Sequence, residues 1–165
     1  MPCVKYILSI YNKTNLNLLK NDMLWTPELA IALRKCGINN IEINCYNSNL
    51  YNDFKKRILN FYCEGFKFLQ DAINENILIK EEKLTNSSLC EEIDNYEYLI
   101  LCVESKILND DISMSGGHYI ILNGRKDNNV KVINPIKEKY EEKRLSVDFL
   151  VRASKDYGAW RILIN

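Results

Sequence analysis

The 165 residues predict an α+β domain, with helices in the first half and an antiparallel sheet in the second. Three observations carry this. Apolar residues fall at helical spacing over 3–13 and 51–74. The texture changes after residue 95, where Tyr98-Leu99-Ile100-Leu101-Cys102-Val103 is a continuous apolar run of strand length. HYIILN and VKVIN then flank GRKDNN, which has the turn residues of a hairpin loop. Domains run to roughly 100 to 200 residues, so 1–165 is read as one domain, long enough to hold its core without a disulfide or metal.

In chain order, Val4, Ile7, Leu8 and Tyr11 form one apolar stripe, so Cys3 opens the first helix. Thr26-Pro27-Glu28 offers an N-cap, a first-turn proline and a first-turn acid for a second helix that Gly37 ends. Residues 41–45 alternate and read as a strand. Phe54, Ile58, Phe61, Tyr62, Phe66 and Leu69 suit one helix over 51–74, or two joined at Gly65. Residues 77–79 form a short strand, and Ser88-Leu89-Cys90-Glu91 fits a capping box for a short helix. The apolar run and the hairpin, with strands at 118–123 and 130–134, follow. Residues 146–156 make an amphipathic helix carrying Val147, Phe149, Leu150 and Val151, and 160–164 is the closing strand. No repeat or linker divides the chain.

Composition excludes several functions. Lys plus Arg equals Asp plus Glu at 22 each, without the basic excess of a nucleic-acid binder. Six glycines, three prolines and 47% apolar residues are not a disordered composition. The six cysteines form no C-x-x-C pair, and a single histidine cannot complete a Cys/His zinc set, so no metal and no cofactor is expected. The start MPCVKY has no signal-peptide pattern, and no stretch approaches the roughly 18 apolar residues of a membrane span. A cytoplasmic protein with reduced thiols, binding neither membrane nor nucleic acid, is the expectation.

Any imidazole chemistry must use His118. A thiol at a helix N-terminus meets exposed N–H groups and the positive end of the dipole, which lower its pKa. An imidazole can take its proton, and a third side chain can fix the imidazole tautomer. Cys3, His118 and Asn134 can fill these roles. If His118 begins one hairpin strand and Asn134 ends the next, their midpoint is residue 126, inside the turn. The two would then stand directly opposite, Cα atoms about 4.5 to 5.5 Å apart. Pro135 cannot donate to a ladder and so suits pairing that ends at Asn134. Asp127, at the hairpin tip, is too far away to orient the ring. The five cysteines other than Cys3 read as small core hydrophobes, and among them Cys45, at a strand end before Tyr46, is the second candidate nucleophile.

PCVKYILSIYN and GGHYIILNGRKDNNVKVINP together resemble the papain-like cysteine peptidase superfamily. The resemblance is closest to double-glycine leader peptidase-like domains and to the family labelled guanylyl-cyclase-domain-containing. LWTPELAIALRKCGI, IEINCYNS and FLVRASKDYGAWRILI resemble segments of the latter. The resemblance implies a papain-like fold with Cys3 as nucleophile, His118 as base and Asn134 as orienting residue. Three departures stand out. Only Met1 and Pro2 precede Cys3, so the upstream oxyanion glutamine has no counterpart, and the sole glutamine is Gln70. Val4 stands where glycine is common, and Ala159-Trp160-Arg161 replaces an acidic stretch. Trp25, Gly117, Tyr119 and Tyr46 are the candidate substrate-contacting residues, Gly116-Gly117 giving backbone freedom beside His118.

The expected activity is acyl transfer through a Cys3 thioester, cleaving or forming an amide in a peptide-like substrate of a biosynthetic pathway. Water or an amine would resolve the thioester, and the sequence leaves both open. A papain-fold binding module without turnover is the alternative. A nucleotide-binding or cyclase protein ranks lower, because no phosphate-binding glycine loop and no paired metal carboxylates are evident.

Overall fold

A computed structural model describes residues 2–13, 25–45, 63–109, 116–136, 139–155 and 159–165. It opens with helices α1 (Pro2–Ile10) and α2 (Thr26–Lys35), strand β1 (Ile41–Cys45), helix α3 (Cys63–Asn74) and strand β2 (Leu78–Glu81). Helix α4 (Asn86–Asn95), strand β3 (Tyr98–Glu104) and the short helix α5 (Ser105–Asn109) follow. Strands β4 (Gly117–Lys126), β5 (Asn129–Ile136) and β6 (Lys139–Ser146), helix α6 (Val147–Ser154) and strand β7 (Arg161–Ile164) complete the chain.

The α+β expectation agrees with this order. One seven-stranded sheet runs β2-β1-β7-β3-β4-β5-β6, antiparallel throughout except for the parallel β1–β2 pair. The sheet is therefore not confined to the second half, because β1 and β2 from the helical half extend it. β6 has no counterpart in the sequence reading. Its KYEEKRLS is charged along its length and lacks apolar alternation, which suits an edge strand protected from further pairing.

Period-two alternation divides the core between the faces of the sheet. Ile41, Ile43, Ile100, Ile121, Ile133, Ile162 and Ile164 point towards α1, α2 and α3. Leu99, Leu101, Val103, Ile120, Leu122, Val132 and Leu163 pack with α4 and α6. In α1 the buried residues Cys3, Val4, Ile7 and Leu8 form one helical stripe against the first of these faces.

Two caps differ from expectation. Thr26 is the first residue of α2 rather than its cap; Trp25 holds the cap position with no side-chain bond. The Thr26 hydroxyl lies 3.1 Å from the Tyr119 hydroxyl, and that contact takes it away from the helix end. The capping box of α4 sits three residues early. The Ser88 N–H donates to the Thr85 hydroxyl oxygen at 3.1 Å, and the Thr85 N–H donates to the Ser88 oxygen at 2.9 Å. Gly37 does end α2, at φ +91°. The expected helix over 51–74 is present from Cys63 and continues through Gly65, and its earlier part lies outside the described residues. Among the described residues no helix is long and apolar enough to cross a membrane.

Candidate active site

β4 and β5 carry two members of the candidate triad. Next to the hairpin turn the pairs are Lys126↔Asn129 and Arg125↔Val130, and deeper in the sheet they are Leu122↔Val132 and Ile121↔Ile133. Asn123 and Gly124 thus oppose Lys131 alone, a two-against-one bulge with Gly124 at φ +71°. The expected loop over 124–129 is instead a two-residue turn at Asp127-Asn128, and Gly124 serves the bulge.

The bulge decides which residues share a face. Continuing the Ile121↔Ile133 register places Asn134 opposite Ile120, Pro135 opposite Tyr119, and the residue opposite His118 is Ile136. His118 and Asn134 are therefore diagonal neighbours on one face, which corrects the expectation that they stand directly opposite. Without the bulge, the turn register would set Asn134 opposite Ile121, and its side chain would leave by the other face. Diagonal partners are within reach of long side chains, and His118 Nε2 lies 2.7 Å from Asn134 Oδ1. An amide oxygen can only accept, so Nε2 carries the hydrogen and Nδ1 is left as the basic nitrogen. Asn134 is fully buried and His118 half-buried, so the anchor is fixed while the ring keeps an open side.

Cys3 reaches the same place from the other face. Its thiol donates to the Tyr119 carbonyl at 3.1 Å. The pairing explains why that carbonyl takes no ladder hydrogen bond from the residue opposite it on β5. Cys102 N–H donates to the Trp160 carbonyl, so the backbone groups of Cys102 point towards β7 and its partner Tyr119 turns its own towards β5. The residue opposite Tyr119 on β5 is Pro135, which has no N–H to offer. Val103, the β3 partner of His118, belongs to the core with α4 and α6, whereas Tyr119 packs with α1. Thiol and imidazole thus approach the β4–β5 edge from opposite faces, just beyond the last exchanged pair, Ile121↔Ile133.

Among the described residues no hydrogen bond joins Cys3 to His118. The structure joins two of the three expected residues directly and holds the third one residue along the chain from the imidazole. Burial pushes the Cys3 thiol well above its ordinary range, the reverse of what a helix start alone would do. Cys102, buried across from Tyr119, is pushed up to about 12 by the same desolvation.

The other candidates are dispersed. Tyr119 is half-buried and engaged with Thr26, Gly117 is exposed at the start of β4, and Trp25 is half-buried ahead of α2. Tyr46 lies outside the described residues. Cys45 donates to the Lys80 carbonyl at 3.7 Å, and desolvation pushes it up to about 11. Cys36 and Cys102 are core residues as expected, but Cys45 and Cys90 are only half-buried. Asp127 sits at the hairpin tip, at φ 54°. Among the described residues no group of three or more His, Cys, Asp or Glu could hold a metal ion.

Sequence reasoning missed a buried polar cluster. Arg161, with no exposed surface, donates from Nε to both Glu92 carboxylate oxygens at 2.8 and 2.6 Å, and from Nη2 to Oε1 at 2.5 Å. Its Nη1 donates to the Ala159 carbonyl at 3.1 Å, and Asn44 Nδ2 donates to Glu92 at 2.9 Å. An arginine inside the apolar strand RILI, and a glutamate one position before Ile93 on the buried side of α4, were the available signals. Comparison with known proteins returns no matching family model, no matching curated protein and no matching solved structure.

Proposed function

We propose that the chain is a papain-like thiol enzyme that transfers an acyl group through Cys3, with His118 as the base and Asn134 as its positioning residue. The observation that carries this is the 2.7 Å His118–Asn134 pair, with a helix-borne thiol bonded to the residue next to the imidazole. The resting thiol is neutral and tied to the Tyr119 carbonyl. Because thiol and imidazole approach from opposite faces, reaction requires the thiol to leave that acceptor and meet the ring beyond the end of the β4–β5 pairing. His118 Nδ1 then takes the thiol proton as sulfur bonds to the substrate acyl carbon. The electron pair of the carbonyl moves to oxygen, where the backbone N–H at Cys3 and the start of α1 offer positive charge. Collapse expels the amine, which takes the proton back from His118 and leaves a thioester. Water then releases an acid, or a second amine releases a new amide. The half-buried imidazole and enclosed thiol suit a defined peptide-like substrate rather than general digestion.

Intact mass spectrometry with activated acyl esters tests this. The expected result is an acyl mass on the wild type, absent from Cys3→Ala and slowed in His118→Ala. No adduct on the wild type, or the same adduct on Cys3→Ala, overturns it. One observation favours a second reading, a binding module without turnover: burial holds the thiol neutral and it is already bonded to backbone. That reading requires Cys3 to alkylate at a rate indifferent to His118→Ala.

A further inference from the structure

We infer that Tyr140, on the edge strand, is the latch that controls access to Cys3. The inference rests on the thiol-enzyme reading for its purpose, though not for its geometry. Tyr140 pairs with Pro135, the residue after Asn134. Pro135 alternates with Asn134 and lies on the same side as Ile133, so Tyr140 projects onto the face covered by α1. There its hydroxyl donates to the carbonyl of Pro2, the residue immediately before Cys3, at 3.3 Å. Its ring is tilted against Tyr6, 4.8 Å between centroids and about one helical turn beyond Cys3. One side chain thereby touches α1 on both sides of Cys3 along the chain.

Exposure shows which side of the latch faces out. Tyr140 is 44% exposed and Cys3 4%, so the ring has water on its outer side and the start of α1 on its inner side. Both contacts belong to a class that breaks readily: one long hydrogen bond between neutral groups and one ring pair. Neither is buried, and β6 is held to the sheet by β5 alone. Swinging the ring away from Tyr6 and Pro2 uncovers the N-terminal turn of α1 without disturbing the sheet core. The latch therefore selects by size: a small electrophile passes at the rate of brief openings, while a bulky acyl group requires the ring to leave its place against Tyr6.

Site-resolved alkylation tests this without requiring turnover. Wild type, Tyr140→Phe and Tyr140→Ala are treated with iodoacetamide and with a bulky maleimide, and modification of Cys3 and Cys102 is followed by peptide mass spectrometry. Cys102, buried on the same face, reports general loosening. Tyr140→Ala is expected to speed Cys3 alkylation about tenfold, more for the maleimide, with Cys102 unchanged. Tyr140→Phe, which keeps the ring and loses the hydroxyl, falls between. Equal Cys3 rates in wild type and both variants overturn the latch, as does parallel acceleration of Cys3 and Cys102. Should Tyr140→Ala not fold, the Phe variant decides between the same outcomes. An acyl adduct that forms at Cys3 with no effect of Tyr140 removes the latch alone. A Tyr140 effect on alkylation without any acyl adduct removes the enzyme alone.

Discussion

The Asn134 amide uses one end and leaves the other idle. Its oxygen accepts from His118, while its Nδ2 is buried and has no hydrogen-bond partner among the described residues. An unsatisfied buried donor costs about 1 to 3 kcal/mol. Chemistry at single residues also sets a pH limit on the fold. Burial holds the Cys102 thiol neutral up to about 12, whereas in the unfolded chain it ionises near the ordinary thiol value. Between those two values the unfolded state holds fewer protons than the native state, so stability is fully present below the unfolded value and falls as pH rises towards 12. Thermal melts across this range should show Tm dropping, and Cys102→Ala should flatten the slope even though it lowers Tm at neutral pH. An unchanged slope would contradict the assignment to Cys102. At this scale the sequence was legible where chemistry is scarce. A single histidine and an Asn-Pro in one hairpin pointed to the pair that the structure joins, whereas no local pattern shows that Glu92 and Arg161 meet.

Helices and strands were read from periodicity, and the errors fall where periodicity is silent. The runs at Tyr98–Glu104 and the stripe of α1 are strong signals and were found nearly to the residue. β6 was missed because its side chains alternate between two solvated environments. The hairpin was found but its register was not. A glycine near a turn reads as part of the turn, and nothing local shows that Gly124 instead adds a residue to β4. The proline that closes the pairing makes a prediction of its own. Pro135→Ala restores an N–H opposite the Tyr119 carbonyl, where it competes with the Cys3 thiol. The new amide should be protected from hydrogen exchange, and Cys3, deprived of its acceptor, should alkylate several-fold faster. Rapid exchange at residue 135 would show that the missing proline N–H is not what leaves the Tyr119 carbonyl to the Cys3 thiol.

For the whole molecule, Arg161 and Glu92 tie the sheet to the helical layer. Arg161 lies on β7, Glu92 on α4 and Asn44 on β1, so three elements distant in sequence meet in one hydrogen-bonded group with the guanidinium fully buried. Removing one charge leaves the other buried alone, at a cost of about 3 to 5 kcal/mol. Arg161→Met should therefore lower the denaturation midpoint sharply. Arg161→Met combined with Glu92→Leu should recover most of the loss. If the double variant is as unstable as the single, the pair matters for packing rather than for charge. The α+β class was legible because helical and strand textures separate along the chain, but the strand order was not, since no local signal records which strands become neighbours.

That order has a consequence for how the molecule comes into being. β7 follows every other strand in the chain, yet it lies between β1 and β3. Until Arg161–Ile164 is available, β2 and β1 have no hydrogen-bonded connection to the β3–β6 ladder. Until β7 docks, the described strands therefore stand as two unjoined pieces of sheet, each with an open edge. Pairings between residues so far apart in sequence are slow to form. Before β7 docks, those open edges are where the chain is most exposed to aggregation.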